Sequence, residues 1–470
     1  MEPNKTLKNK RKFKMPHIYV LLLGLILFCG ILTWIVPAGS FDRVINEVTN
    51  REVVVPGTYH AVPKTPVGFF QLFRCIYSGL MNAADVIMFL FVACAAIGLI
   101  IKTGAFNGLV AGLLKVFKGK SRVAIIPVFI TLLGMVSSTI GCFEEMFPFI
   151  SIFIGMAIAM GYDAIVGLAV VVLGTALGYA GAFMNPFTVG IAQSIAEVPA
   201  MSGAAFRIVC HITMIVVASI YVCRYAIKIQ ADPTKSILYN EKRDTSHDNA
   251  ISVDNYTFGW REKCVLLVLL VGVVAVVYGT KNYGWFFEEL TAIFLIMGLA
   301  SAAIMGWKVN QVAEMVAESF TEMAVACMIV GLARGILMVL RAGNIIDTVV
   351  YAMSIPLSTL PRWLTAEAML MVQTVLNFLI PSGSGQATVS MPIMAPLADI
   401  LNIPRQVAVL AFQFGDGLSN IMWPTANTPI ICALAGIKME KWWKWFTPLF
   451  LMLILTQMGL IGVALAIGWG

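Results

Sequence analysis

Two adjacent carboxylates lie in the middle of a long apolar stretch of this chain. The segment VSSTIGCFEEMFPF, residues 136–149, carries Glu144 and Glu145 with apolar runs before and after them. An ionisable side chain inside a membrane segment is costly, and by default it is a hypothesis of function. We expect at least one of the two glutamates to face a polar cavity and to bind a cation, a proton or an ammonium group. The alternative is that both are solvated caps of a wet turn.

Hydroxyl and glycine residues accumulate at two turns of the chain. Such turns expose carbonyls and hydroxyls that can bind Na⁺, and half-helices that begin there can bind a substrate carboxylate at their N-termini. The alternative is that both are flexible turns without a ligand. We predict contact with substrate or ion for Ser137, Ser138, Thr139 and Gly141 at the first turn and for Ser382, Gly383, Ser384, Gly385 and Gln386 at the second.

A third carboxylate, Asp416, lies within another apolar segment. Gln413, Asp416 and Asn420 are three and four residues apart, so they share one face of a helix. We expect that face to look at the cavity, where Asp416 would neutralise a cationic substrate. Asn377, one turn before the second glycine-rich turn, is a further candidate.

Asparagine and proline interrupt two apolar segments. Asn185 precedes one proline, and Asn427 and Thr428 precede another. Proline removes a helix hydrogen bond, so each segment is predicted to be a broken helix. We expect Asn185, Asn427 and Thr428 to contribute to the site. A helix break in lipid needs polar partners whatever the function, so a structural role is the alternative.

The composition places these residues in a membrane. The chain is 59% hydrophobic and 12% charged, whereas soluble chains carry about 25% charged residues. Its apolar segments are too long for β-barrel strands, which predicts an all-α polytopic membrane protein surrounded by lipid. The net charge of +7 comes from Lys and Arg in a few loops, which set orientation, and no nucleic-acid partner is expected. No catalytic motif or metal-ligand spacing is present, so no enzyme is predicted.

The apolar pattern predicts about nine full spans. Two further stretches, 122–160 and 364–400, are predicted to be re-entrant hairpins, and 163–198 and 403–437 to be discontinuous helices. Basic loops place the N-terminus in the cytoplasm, and mixed charges place the loop 42–64 outside. The run KMEKWWKW, residues 438–445, is expected to anchor at the membrane interface. Four parts are predicted: a first repeat with the N-terminal span (1–227), a cytoplasmic linker (228–261), a connecting span (262–286) and a second repeat (287–470).

The two halves resemble each other in the order of their elements. The stretch 138–148 aligns with 382–392, and 174–186 aligns with 417–429, matching serine, glycine and proline positions. Counting spans from a cytoplasmic N-terminus makes the second half inverted with respect to the first. Inverted repeats with paired broken helices are typical of secondary transporters, whose binding sites lie near the membrane midplane.

Three motifs resemble a known family. Pro37-Ala-Gly-Ser-Phe41, Gly141-Cys-Phe-Glu-Glu145 and Pro381-Ser-Gly-Ser-Gly-Gln-Ala-Thr388 look like the YfcC family, which is grouped with the C4-dicarboxylate anaerobic carriers of the ion transporter superfamily. The resemblance covers nearly the whole chain. It implies a carrier of the bacterial inner membrane with a scaffold and a transport domain, and a homodimer as one expected assembly. Related proteins are linked to arginine–ornithine exchange, to dicarboxylates and to other carboxylated compounds.

The charges at the interruptions favour a substrate with positive charge. Glu144, Glu145 and Asp416 are acidic, and we expect no Lys or Arg near the turns. A carrier of dianions would use Arg or Lys, unless bound Na⁺ supplied the charge. We therefore predict an amino acid, of the arginine or ornithine type, with no cofactor other than Na⁺ or H⁺ as coupling ion. The alternatives are a Na⁺- or H⁺-coupled carrier of C4-dicarboxylates or other carboxylates, and an ion channel.

Overall fold

Helices make up most of the computed structural model of the chain. It describes residues 16–46, 51–105, 108, 119–199, 201–239 and 259–470. The first part contains α1 (Ile18–Ile35), α2 (Phe69–Asn82), α3 (Ala84–Lys102), α4 (Ile125–Ile140), α5 (Ile150–Ala159), α6 (Ala164–Ala180), α7 (Ile191–Ile195) and α8 (Ala204–Ala231). The second part contains α9 (Trp260–Tyr283), α10 (Phe287–Met305), α11 (Val309–Ala342), α12 (Ile346–Ser354), α13 (Arg362–Leu379), α14 (Gly383–Ile400), α15 (Arg405–Ser419), α16 (Thr428–Leu434) and α17 (Met439–Ala466).

Eight helices in the described part of the chain are long and apolar enough to cross a membrane. The multi-pass prediction is therefore confirmed. These eight include α4, which the sequence assigns to a hairpin, and leave out the interrupted pairs α6–α7 and α15–α16. Helix α9 illustrates the surface: Leu267, Leu270, Val271 and Val274 are all exposed. An apolar face of this kind is stable only against lipid.

The helices pack in two groups. In the first, α11 packs along α1, α2 and α3, and α10 packs along α3. In the second, α4 and α5 pack on α6, α13 and α14 pack on α15, and α15 crosses α6. A Cβ atom on Gly417 would lie 2.3 Å from the backbone nitrogen of Ala180. The absence of a side chain at Gly417 therefore lets α15 and α6 approach backbone to backbone, as small residues do in membrane bundles.

The predicted interruptions occur where proline, glycine and serine indicated them. Helix α4 ends at Ile140, a 3₁₀ segment covers Glu144–Phe149, and α5 follows. Helices α13 and α14 are separated by three residues before Gly383. A π-helical segment, Pro186–Gly190, separates α6 from α7, and residues 420–427 separate α15 from α16. The re-entrant path of the hairpins and the inversion of the repeats stay predictions, as do the four sequence-based parts.

Short strands occur in and just before the polar loop 42–64. Strand β1 (Gly39–Ser40) pairs with β4 (His60–Ala61), and β2 (Arg43–Asn46) pairs with β3 (Arg51–Val54), both antiparallel. The stretches RVIN and REVV combine β-branched residues with charged ones, a composition that suits a half-buried strand pair. Strand β3 contacts α14.

The run 438–445, which the sequence predicts to anchor at the membrane interface, contributes tryptophans to the protein interior. Trp442 and Trp445 are buried at the start of α17. The indole nitrogen of Trp442 donates to the carbonyl of Ile421 at 2.9 Å, and that of Trp443 donates to the carbonyl of Met422 at 2.8 Å. These carbonyls belong to the interruption after α15, where backbone acceptors need partners. Trp442 and Trp443 therefore supply hydrogen-bond donors to the backbone of a helix break.

Candidate substrate-binding site

A polar cavity lies between the two helix groups. Its volume is about 260 Å³. The first group contributes Val86, Phe287 and Arg334, and the second contributes both turns and the segment after α15. Of the residues predicted from sequence, the cavity brings together Gly141, Glu144, Glu145, Ser382, Gly383, Ser384 and Asn427. Two turns that are more than two hundred residues apart therefore form one site, which we call the central cavity.

The two glutamates line the central cavity but make different contacts. Glu145 is buried, and its Oε2 accepts a hydrogen bond from the backbone N–H of Phe143 at 2.7 Å. Glu144 is half-buried, and its Oε1 accepts from the side-chain amide of Asn427 at 3.2 Å. Glu145 therefore closes its own turn, whereas Glu144 reaches across to the segment before α16.

Gly141 and Asn185 join the first turn to the break in α6–α7. Gly141 has a φ of +85°, and a Cβ atom there would lie 2.4 Å from Asn185 Oδ1. Asn185 is fully buried and caps the segment that follows it, since its Oδ1 accepts from the N–H of Phe187 at 2.8 Å. Asn185 Nδ2 is buried without a partner. Asn185 therefore supports the first turn from behind and does not line the central cavity.

The second turn places the start of α14 beside Asp416. Ser382 caps α14, and its Oγ accepts from the N–H of Gly385. A Cβ atom on Gly383 would lie 2.8 Å from Asp416 Oδ2 and 2.7 Å from Thr188 Cγ2. Asp416 is 1% exposed, and among the described residues neither of its carboxylate oxygens has a partner at hydrogen-bond distance and angle, since Asn420 Nδ2 donates to its backbone carbonyl. This carboxylate lies behind the glycine-serine turn and within Coulomb range of Glu144.

Asn377 holds the C-terminal end of α15 in place. Its Nδ2 donates to Ser419 Oγ at 2.7 Å, to Asn420 Oδ1 at 3.1 Å and to the carbonyl of Asp416 at 3.1 Å. Its Oδ1 is buried without a partner, as is Thr428 Oγ1. Asn420 lines the central cavity, and Asn377 and Thr428 lie behind that wall. These free oxygens and the Asp416 carboxylate are the atoms at this site that could hold a cation.

An arginine lines the central cavity, contrary to the sequence-based expectation. Arg334 is half-buried within α11 and lies within Coulomb range of Glu144. The statement that no cation is close to the turns is therefore wrong. Arg334 is nearly fifty residues from the second turn, and only the packing of α11 against the second group brings the guanidinium there.

Several predicted site residues make hydrogen bonds within or between helices and do not line the central cavity. Ser137 Oγ donates to the carbonyl of Thr175 at 2.9 Å and joins α4 to α6. Ser138 and Thr139 donate to carbonyls one turn back in their own helix. Gln386 donates to Gln373 and joins α14 to α13. Gly385 lines a different cavity. A helix pair without water must satisfy its hydroxyls and amides internally, which accounts for these contacts.

Of the three residues predicted to share one helix face, Asn420 lines the central cavity, whereas Gln413 and Asp416 do not. Gln413 Oε1 accepts from the guanidinium of Arg207, and its Nε2 donates to the carbonyl of Ala182 at 2.6 Å. Arg207 is fully buried, and its Cζ atom lies 5.3 Å from the centroid of the Trp469 ring. A buried guanidinium needs acceptors, and Gln413 supplies one of them.

The sequence reasoning missed the aromatic wall of the central cavity. Phe143 and Tyr179 meet edge to face with their ring centroids 5.0 Å apart, and Phe187 lies 5.6 Å from Phe286. All four line the cavity. In a chain with 28 phenylalanines, no spacing separates these rings from lipid-facing ones. They form an apolar slot beside the charged groups.

A multi-pass helical protein with a polar site between two helix groups has the architecture of a membrane transporter. The family model described as C4-dicarboxylate anaerobic carrier, DcuC, matches residues 15–466. The chain belongs to this family. The match indicates a transporter and not an enzyme, in agreement with the resemblance seen in the sequence.

Relatives match over nearly the whole chain. It is 30% identical to YfcC of Escherichia coli, which bears the provisional name of a basic amino acid antiporter, over 97% of this chain and 98% of that protein. It is 28% identical to an uncharacterised protein of Haemophilus influenzae over 95% of this chain and 96% of that protein. The solved YdaH transporter of Alcanivorax borkumensis matches with 17% identity and a TM-score of 0.43, covering 97% of this chain and 99% of that one. MtrF of Neisseria gonorrhoeae matches with 14% identity and a TM-score of 0.43, covering 95% and 94%.

Proposed function

We propose that the protein is a secondary transporter that exchanges basic amino acids such as arginine and ornithine. The observation that carries the proposal is the combination of charges at the central cavity. Glu144 and Glu145 line it, Asp416 lies just behind it, and Arg334 is the one cationic residue that the described part of the chain contributes to its lining. A basic amino acid carries two positive groups and one carboxylate, which complements this set. The name of the Escherichia coli relative supports the same substrate class.

The carboxylate, the cationic side chain and the aliphatic stem of the substrate each have matching groups at the central cavity. The substrate carboxylate binds Arg334, with the N–H groups at the start of α14 as additional donors. Glu144 and Asp416 attract the cationic side chain. Tyr179 and the phenylalanines pack against the aliphatic stem, as aromatic and apolar walls do in small-molecule sites.

A carboxylate carrier is the second candidate, because Arg334 is suited to anions as well. The family description names C4-dicarboxylates. A dicarboxylate would need a cation to offset the three acidic side chains, and Na⁺ or H⁺ would supply it. Asp416, with both oxygens unpartnered, and the buried Thr188 Oγ1 nearby are the groups that support ion binding here.

We infer alternating access from the division into two helix groups. The group of α1, α2, α3, α10 and α11 corresponds to a scaffold, and the group that carries both turns corresponds to a transport domain. Movement of the second group past the first would expose the central cavity to each side in turn. The remaining parts of the proposal are a bacterial inner-membrane location, a cytoplasmic N-terminus, inverted repeats with re-entrant hairpins, and a homodimer.

Solute counterflow tests the proposed function. The purified protein is reconstituted in vesicles loaded with unlabelled ornithine, and entry of labelled arginine is measured with and without a Na⁺ gradient. We expect entry that requires internal ornithine and is competed by external arginine but not by succinate. Vesicles with the protein but without internal ornithine are the control. Entry of labelled succinate without entry of arginine would contradict the basic amino acid assignment and support the carboxylate carrier.

A further inference from the structure

A second cavity lies on the other side of the turn between α13 and α14. Its volume is about 500 Å³, and it shares no lining residue with the central cavity. Its walls are β1, β2 and β3, the end of α11, the start of α12 and the first turns of α14. Pro381–Ser384 line the central cavity, whereas Ile380 and Gly385 line this one. A single turn of chain therefore separates the two cavities.

The charged groups of this cavity fall into a closed pair and two free residues. Arg43 binds both oxygens of Asp347, at 2.8 and 2.9 Å, and Asp347 also accepts from the N–H of Phe41 at 3.1 Å. This pair is complete and ties the strands to α12. Arg341 and Glu52 also line the cavity, and within the described residues their side chains have no hydrogen bond or ion pair.

We propose that this cavity, which we call the vestibule, is a second substrate site that binds a zwitterionic amino acid before it reaches the central cavity. The Arg341 guanidinium binds the substrate carboxylate, which it can hold through two parallel hydrogen bonds. Glu52 binds the ammonium group. The choice of an amino acid as ligand rests on the proposed function, whereas the anion-binding role of Arg341 does not.

The vestibule lies beside the strands of the loop 42–64, whose mixed charges place it on the outside face of the membrane. A recruiting site there raises the local substrate concentration at the turn that separates the two cavities. Such a site lowers the external substrate concentration that gives half-maximal entry and leaves the maximal rate of entry unchanged. Its contribution is therefore separable from that of the central cavity in a kinetic experiment.

The test is the external concentration of labelled arginine that gives half-maximal entry into intact cells producing Arg341→Gln. We expect this concentration to rise about tenfold, the loss of one charge-assisted contact, with the maximal rate unchanged. Arg341→Lys keeps the charge without the planar fork and should recover part of the loss. Arg362→Gln is the matched control, because Arg362 is exposed and lines neither cavity. The proposal would be overturned if Arg341→Gln and Arg362→Gln had the same half-saturating arginine concentration. It would also be overturned if Arg341→Gln lowered only the maximal rate.

Glu52→Gln separates failure of this proposal from failure of the proposed function. For arginine we expect Glu52→Gln also to raise the half-saturating concentration, since a negative partner of the ammonium group is lost. If arginine moves and neither Glu52→Gln nor Arg341→Gln alters half-saturation, the vestibule site is refuted and the proposed function stands. If only labelled succinate moves, Arg341→Gln should raise and Glu52→Gln should lower the half-saturating succinate concentration. That result would retain the anion contact and overturn the amino acid assignment at both cavities.

Discussion

At the scale of single residues, Glu144 and Glu145 have different tasks although they are neighbours. Glu145 accepts from the N–H of Phe143 within its own turn, and Glu144 contacts Asn427 across the central cavity. We expect Glu144→Gln to abolish arginine counterflow with little change in thermal stability. Glu145→Gln should instead lower the free energy of unfolding by about 1 kcal/mol, since a hydrogen bond to a charged acceptor becomes one to a neutral amide.

Counterflow and thermal unfolding of the two purified variants distinguish these roles. Glu440→Gln is a suitable control, because Glu440 lies outside the central cavity in the first turn of α17. Equal loss of transport in both glutamine variants, at unchanged stability, would contradict the division of tasks. It would mean that both carboxylates contact the substrate.

Arg334 is the residue on which the choice of substrate class depends. With Arg334→Gln, we expect the half-saturating concentration of arginine to rise by about tenfold to a hundredfold, because the substrate carboxylate loses its charged partner. Arg334→Lys should be intermediate, since an ammonium group keeps the charge but not the bidentate geometry. The measurement is the concentration dependence of counterflow.

A compound without a carboxylate provides the control for Arg334. Agmatine is decarboxylated arginine, and its competition against labelled arginine should be the same in wild type and in Arg334→Gln. If Arg334→Gln weakened agmatine competition as strongly as it weakened arginine entry, Arg334 would not be the carboxylate partner.

At the scale of elements, the end of α4 depends on a residue without a side chain. Gly141 combines a φ of +85° with a neighbour, Asn185 Oδ1, that a Cβ atom would approach to 2.4 Å. Gly161 has a φ of +86° but no atom within 4 Å of a Cβ position. An alanine at Gly161 therefore introduces backbone strain alone, whereas an alanine at Gly141 introduces both backbone strain and steric overlap.

We expect Gly161→Ala to lower the free energy of unfolding by about 1 kcal/mol, the cost of a left-handed conformation for alanine. Gly141→Ala should cost more and should also reduce transport, because the first turn must move away from Asn185. Thermal unfolding in detergent and counterflow measure the two effects. Equal stability of the two alanine variants would show that the contact between the first turn and the break in α6–α7 is not tight.

At the scale of the whole molecule, a coupling ion bound near Asp416 would contact both discontinuous helices, α6–α7 and α15–α16, and the turn between α13 and α14. Asp416, Thr188 and Gly383 come from α15, the π-helical segment and α14. A ligand that binds only the folded state stabilises it by mass action. If Na⁺ is the coupling ion, we expect the melting temperature of the purified protein to be higher in Na⁺ than in choline at equal ionic strength.

Asp416→Asn should remove the difference in melting temperature between Na⁺ and choline. Asp399→Asn, at the exposed end of α14, is the control and should keep that difference. If wild type melts equally in both salts but arginine entry responds to a pH gradient, the coupling ion is H⁺. A Na⁺ effect that persists in Asp416→Asn would place the ion elsewhere in the molecule.

Much of the architecture was determined by the sequence alone. Apolar runs about thirty Å long when helical must span or enter the bilayer, and Pro, Gly and Ser within them must interrupt a helix. These rules are local, so they placed the interruptions around Gly141, Asn185, Ser382 and Asn427 correctly. They also identified the carboxylates at those interruptions, since a charge in such a run is conspicuous.

Only the tertiary structure decided which of these groups share a cavity. Arg334 is conspicuous as a charge within a span, but its sequence position does not say whether it serves an ion pair or a site, and its place in the same cavity as Glu144 depends on how α11 packs against the second group. Ser137 and Gln386 were predicted to line the site, but the Ser137 hydroxyl and the Gln386 amide N–H donate to neighbouring helices. Trp442 and Trp443 of α17 follow the same rule, because their indole N–H groups donate to backbone carbonyls of the interruption after α15. Polar groups in a membrane protein must find partners, and the sequence shows the need for a partner but not its identity.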